Sequence, residues 1–195
     1  MQTIRTTIKR ATVIAAIGAV TTLAIAEEAP PTAVELSGGR LFQQSAHRLY
    51  EVNATQHEVR PLRVPATFKH SLTSASSIVF PVSRSRMIDG KEYVLVVVNQ
   101  ASSANPTGFC GVGEEGTLYV LELRDSTADP RFSLPVQSCL KTIDLSSDGT
   151  KSPYSAIAWS ESPIGVRVSW ELDAKGNKAT RTFRYENGKF VEAVQ

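Results

Sequence analysis

Cysteine, methionine and the aromatic residues are scarce in this chain: two Cys, two Met and 7% Phe, Trp and Tyr among 195 residues. Two cysteines exclude a disulfide-dense miniature scaffold, which needs several cross-links because its core is small. The three histidines, at positions 47, 57 and 70, show neither HExxH nor any other metal-ligand spacing. No GxSxG nucleophile elbow, no Walker-type phosphate loop and no strand-borne GxGxxG occurs, so the familiar signposts of hydrolases and nucleotide enzymes are missing. No fixed-period repeat is present, which argues against a solenoid. After residue 26 no apolar run approaches the roughly 20 residues that cross a bilayer as a helix.

The N-terminus carries the first positive signal. Arg5, Lys9 and Arg10 precede an apolar run that starts at Ala11 and ends in Ala24-Ile25-Ala26. A positive n-region, a short apolar core and a small-residue A-x-A end are the pattern of a secretory signal peptide. The run of about 16 residues is too short for a retained anchor. Cleavage near Ala26 is therefore expected, with the mature chain in the periplasm or outside the cell. No lipobox cysteine follows.

Removing residues 1–26 takes three bases and no acid, which leaves 18 Lys+Arg against 19 Asp+Glu. A net charge of about −1 gives no electrostatic argument for nucleic acid or an anionic membrane. The 169 residues that remain fit one domain. A chain of that length buries about 70% of its unfolded surface and does not depend on cross-links for a core. In an exported chain two cysteines pair, so Cys110 and Cys139 are expected as a disulfide. Closing a loop of that length contributes roughly 3–4 kcal/mol in the chain-entropy model.

Residues 27–37, with Pro30-Pro31, read as an extended arm ahead of a β-rich domain over 38–195. In residues 40–52 Leu41, Phe42, Ala46, Leu49 and Tyr50 fall near helical spacing; an irregular strand is the alternative, and the reading leans to a short helix. The prolines of residues 59–66 suit an edge strand or a connector. Asp89-Gly90 between two β-rich runs predicts a hairpin. Tyr93 to Val98 is apolar at every position, which predicts a strand covered on both faces. Thr117–Leu123 predicts a strand with Tyr119, Leu121 and Leu123 on one face, and Phe132–Leu145 another, interrupted at Pro135. Tyr154–Ser160 follows. In Ile164–Leu172 apolar and polar residues alternate, and Thr180–Tyr185 returns so that Phe183 and Tyr185 could pair with Val168 and Trp170. Asn187-Gly188 predicts a closing type I′ turn. The fold class is all-β, an antiparallel sandwich or barrel-like domain with one disulfide and room for one short N-terminal helix.

The Cys110 segment is the candidate binding loop: Gly108, Gly111, Gly113 and Gly116 surround Phe109, Glu114 and Glu115, with Tyr119 just beyond. Glycine lets backbone approach a ligand closely, and turn geometry beside a disulfide asks for the same residues. Asp144-Leu-Ser146-Ser-Asp148-Gly149 has the alternating oxygens of a calcium loop, but Ser155 stands where the bidentate Glu is required, so no metal and no cofactor are expected. Arg60, Arg63, Lys69, Arg84 and Arg86 form a basic band, read as solvated strand charges with an anionic partner as the sharper alternative. Trp159 and Trp170 read as core.

Gly116-Thr-Leu-Tyr119 resembles the Gly-x-x-Tyr end of the Ser-Gly-x-x-Tyr motif of bacterial periplasmic lysozyme inhibitors, small disulfide-bearing β-proteins. Glu115 stands where that family has serine, so its cleft-inserting serine loop is not implied. The leading expectation is a non-enzymatic exported domain that binds a protein or an envelope component. A hydrolase using Glu114, Glu115, Asp144 or Asp148 as acid and base is the second, and a structural subunit of an envelope assembly the third.

Overall fold

Six consecutive apolar side chains, Tyr93 to Val98, are buried on both faces of one strand, and the rest of the chain is layered on either side of it. The computed structural model describes residues 29–103 and 107–193. The expected signal peptide, residues 1–26, lies outside the described residues.

The chain builds three antiparallel sheets one after another. The first holds β1 (Ala33–Glu35), β2 (Leu41–Ser45), β3 (Arg48–Asn53) and β4 (Glu58–Pro61), in that spatial order. Helix α1 (Ala66–Thr73) follows. The second sheet holds β5 (Ser77–Val79), β6 (Arg86–Ile88), β7 (Lys91–Ala101), β8 (Glu114–Arg124) and β9 (Thr127–Ser138). Within it β7 lies between β8 on one side and β5 and β6 on the other. The third holds β10 (Asp144–Leu145), β11 (Ile157–Glu161), β12 (Ile164–Leu172), β13 (Ala179–Glu186) and β14 (Lys189–Glu192). Among the described residues no helix is long and apolar enough to cross a membrane.

The strand period of two divides β7 between two cores. Tyr93, Leu95 and Val97 join Leu118, Val120 and Val136 against Val166, Val168, Trp170 and Phe183 of the third sheet. Val94, Val96 and Val98 join Leu121 against Val34, Phe42 and Leu49 of the first sheet and Phe68 and Leu72 of α1. The second sheet is thus the middle layer, and along β7 both faces are buried. Two buried polar residues bound the apolar run. Glu92 faces the first sheet and accepts from Ser37 N (2.5 Å), Ser85 Oγ (2.7 Å) and Arg40 Nη2 (2.8 Å), while Arg40 Nη1 also meets Glu51 at 2.9 Å. Asn99 faces the third sheet and donates to Ser77 Oγ (2.9 Å) and Tyr154 Oη (2.6 Å).

The turns follow their local chemistry. Asp89-Gly90 and Asn187-Gly188 both take positive φ at the two central positions, as type I′ hairpins require. Pro130 and Pro135 sit where β9 shifts register against β8, on the edge strand of the sheet, so neither removes a needed ladder bond. Tyr119, Leu121 and Leu123 share the face turned to the first sheet and α1, as the alternation predicts. β4 is an exposed edge strand that ends at Pro61, as the prolines of residues 59–66 allow.

Three expectations are corrected. Residues 40–52 are not helical: they form the β2–β3 hairpin, turning at Ala46-His47 with φ of 46° and 62°. Phe42 and Leu49 reach the same core from opposing strands, with Phe42 opposite Glu51 and Leu49 opposite Gln44. The single α-helix among the described residues lies later, at Ala66–Thr73, entered through Pro65 and anchored by Phe68 and Leu72. Phe183 pairs with Val166, and Val168 faces Arg181, so the β12–β13 register is displaced from the expected one. Val34 and Leu36, in the stretch read as an arm, are core residues.

Leu95→Ala is expected to cost about 2–5 kcal/mol in urea denaturation, because the side chain is fully buried and its truncation leaves a cavity. Val59→Ala on exposed β4 should stay within about 0.5 kcal/mol; comparable losses at the two sites would disprove the central position of β7.

Candidate functional site

Cys110 and Cys139 are joined, with their Cα atoms 5.8 Å apart, so the loop before β8 is tied to the end of β9. Its described residues are braced by backbone bonds. Gly111 N donates to Gly108 O (2.9 Å), Gly113 N to Cys110 O (3.0 Å) and Ser102 N to Gly113 O (2.9 Å). Gly113 lies so close to the bridge that a Cβ there would fall 2.6 Å from Cys139 Cβ, which is why this position takes glycine. Over residues 108–113 the disulfide and these bonds constrain the backbone that carries the side chains.

Those side chains are unusual for such a loop. Phe109 is 83% exposed and Val112 93%, and Leu140, in the turn after Cys139, is 55% exposed. With Leu172 at the end of β12, Phe109 and Val112 form an apolar rim beside the disulfide, and Leu140 follows Cys139 in the chain. Phe109, Val112 and Leu172 line a hollow of about 510 Å³ with buried Ile143 and two carboxylates, Glu114 and Asp144. Large exposed apolar side chains clustered within a polar border mark contact surfaces.

The expected loop residues do not all meet. Phe109 and Glu114 line the same hollow, and Glu114 accepts from Ser76 Oγ at 2.8 Å. Glu115 turns the other way, since adjacent strand residues face opposite sides. It accepts from Ser102 Oγ (2.6 Å), Leu140 N (3.2 Å) and the Ser138 hydroxyl, knitting the loop to β9. Burial pushes its carboxyl up, but the bonds from Ser102, Ser138, Leu140 and Cys139 outweigh it and hold it below the usual range. Tyr119 lies elsewhere, in mid-strand against α1, with its ring 4.7 Å from Phe68 and its hydroxyl donating to Ser71 Oγ at 3.3 Å. Gly116 and Tyr119 are therefore strand residues, and no projecting loop carries the motif that resembles the lysozyme inhibitors.

Of the carboxylates offered as an acid–base pair, Asp148 accepts from Thr150 N and Oγ1 within its own turn, and Glu115 is taken by the loop. Only Glu114 and Asp144 border the hollow. Among the described residues no group of three or more His, Cys, Asp or Glu is placed to hold a metal ion. Trp170 is buried and donates to Val136 O at 3.2 Å, and Trp159 packs against the same core. Val112, Leu140 and Leu172 were not read from the sequence as site residues. The signal for the first two was present: apolar residues inside turn segments, outside any strand alternation.

A second carboxylate behaves like Glu115. Glu122 is 2% exposed; burial pushes its carboxyl up, but Arg124 (2.6 Å), Arg131 (3.0 Å) and Lys91 (3.7 Å) draw it below the usual range. Both folded values lie below the unfolded ones, so the stability these groups contribute is complete above the unfolded pKa and is lost as pH falls through the folded pKa. The urea midpoint is expected to drop on acidification from about pH 6 to about pH 3. Glu115→Gln should lower the midpoint at neutral pH and flatten that drop; an unchanged slope would show that Glu115 is not among its causes.

No protein-family model, curated protein sequence or solved structure matches this chain.

Proposed function

We propose that this chain is an exported, non-enzymatic β-domain that binds another protein through the rim beside the Cys110–Cys139 disulfide. The observation that carries the reading is the exposure of Phe109 and Val112 on a loop segment that is cross-linked and hydrogen-bonded. Leaving two such side chains in water forgoes about 1.5–3 kcal/mol each, which covering by a partner would recover. A loop already fixed in its bound shape loses little entropy on association. Glu114 and Asp144 at the hollow give the partner's contact segment its chemistry: apolar side chains accompanied by Lys or Arg. The disulfide, and the lack of a membrane-spanning helix among the described residues, fit an exported protein.

Photo-crosslinking in cells that export the chain tests this. A benzophenone side chain at position 109 or 112 is expected to yield the same discrete adduct, and at exposed Val59 none. Phe109→Ala combined with Val112→Asp should weaken binding of the identified partner at least tenfold, while Val59→Ala leaves it unchanged. Adducts equal at all three positions, or none at the loop, would overturn the proposal.

A further inference from the structure

The basic band of residues 60–86 resolves into two groups. Arg60 pairs with Glu58, Arg84 with Glu35 and Arg86 with Glu161. Arg63 and Lys69 have no carboxylate partner among the described residues, and both line one hollow between the first sheet and α1. Arg48 and His47, from the β2–β3 turn, line it too, and Arg48 is likewise without an ion pair among the described residues. No acidic residue borders this hollow of about 620 Å³. In a chain with 21 bases and 19 acids, three cations and an imidazole gathered with no acid among them are a local excess that the overall balance conceals.

The floor is of opposite character. Leu49, Leu62 and Leu72, core residues of β3, the segment after β4 and α1, close it from beneath, and half-buried Val64 forms part of the wall. The cations are fixed to rigid elements. Arg63 is bound into the second sheet through its backbone, N to Ser126 O (2.8 Å) and O from Ala128 N (2.9 Å), and its guanidinium donates to Ser126 Oγ at 3.1 Å. Lys69 stands on α1. His47 and Arg48 are held by a two-residue turn whose central Ala46 and His47 take the left-handed conformation, where Asn-Gly would be the easy choice.

We propose that this hollow is a binding site for a small amphiphilic anion: a carboxylate or phosphate head held among Arg48, Arg63, Lys69 and His47, with an apolar tail lying on the leucine floor. The volume falls within the range of small-molecule pockets, and an apolar floor with a few convergent polar groups is their usual make-up. Arginine supplies planar donors suited to either head group, and exposed cations add an attraction that salt weakens. The site is separate from the disulfide rim and does not rest on it.

Amide-resolved NMR titration of the mature chain with monomeric dodecyl phosphate and laurate tests this. Inorganic phosphate, dodecyltrimethylammonium and anionic phospholipid vesicles complete the set. Saturable binding with Kd below about 1 mM is expected for both amphiphilic anions, with shifts at residues 46–49, 61–64 and 69–73. Inorganic phosphate and the alkyl cation should bind at least tenfold more weakly. Arg48→Gln with Lys69→Gln, both at exposed positions, should weaken dodecyl phosphate about tenfold or more and leave the urea midpoint unchanged. Three outcomes would overturn the site: equal affinity for inorganic phosphate or the alkyl cation, binding to vesicles but not to monomers, or shifts centred on Phe109 and Val112.

Discussion

Everything in this molecule depends on β7 having no wet face. A strand in the middle layer must satisfy its backbone through its neighbours and its side chains through two separate cores. Tyr93 to Val98 meets both demands with an unbroken apolar run: odd positions pack on the third sheet, even positions on the first sheet and α1. Each buried side chain of this kind contributes about 1.5–3 kcal/mol, so the two outer layers are held by one strand and its neighbour β8 more than by each other. Single bridges at Glu35–Arg84, Arg63–Thr127 and Ser138–Ile143 join the sheets along their margins.

That layering sets where ligands can meet the protein. The centre of the middle sheet is covered, so recognition falls to the loops and to the seams between layers. The rim near the disulfide is a seam between the second and third sheets, apolar and acidic. The leucine-floored hollow is a seam between the first sheet and α1, basic without any acid. The near-equal totals of acids and bases hide this segregation, because the charges elsewhere are largely spent on one another, as Arg40 is on Glu51 and Glu92. The burial of Glu122 under three bases is the same economy inside the second sheet.

Much of the fold was legible where one physical signal dominated. Asp89-Gly90 and Asn187-Gly188 demand positive φ, Ile164–Leu172 alternates without a break, and a six-residue apolar run admits little besides a covered strand. The β2–β3 hairpin was illegible because its turn, Ala46-His47, lacks the residues that ease left-handed backbone, and because Glu51 occupies an inward position that only its pairing with Arg40 makes tolerable. Helix α1 is only eight residues long and follows a proline-rich stretch, so local propensity says little and Phe68 and Leu72 settle it through tertiary packing. The candidate site was half legible. Glycines and cysteines mark the Cys110 loop, but the split between Glu114 and Glu115, the distance of Tyr119 from both and the approach of Leu172 depend on strand pairing across the sheets. The basic hollow was less legible still, because which cations keep a carboxylate partner is decided by contacts far apart in sequence.

The two polar residues at the ends of the β7 run do something that hydrophobicity cannot. A strand that is apolar on one face has its register set by alternation, since a slip of one residue would expose the wrong side. Along Tyr93–Val98 that penalty vanishes: a slipped strand would still present apolar groups to both layers. Glu92 and Asn99 restore it. Moved by one position, Glu92 would leave Arg40, Ser37 and Ser85 and carry an unpaired charge toward the aromatic side chains of the third sheet, while Asn99 would lose Tyr154 and Ser77. Hydrophobic burial decides that β7 lies at the centre, and two buried polar residues decide how it is aligned there.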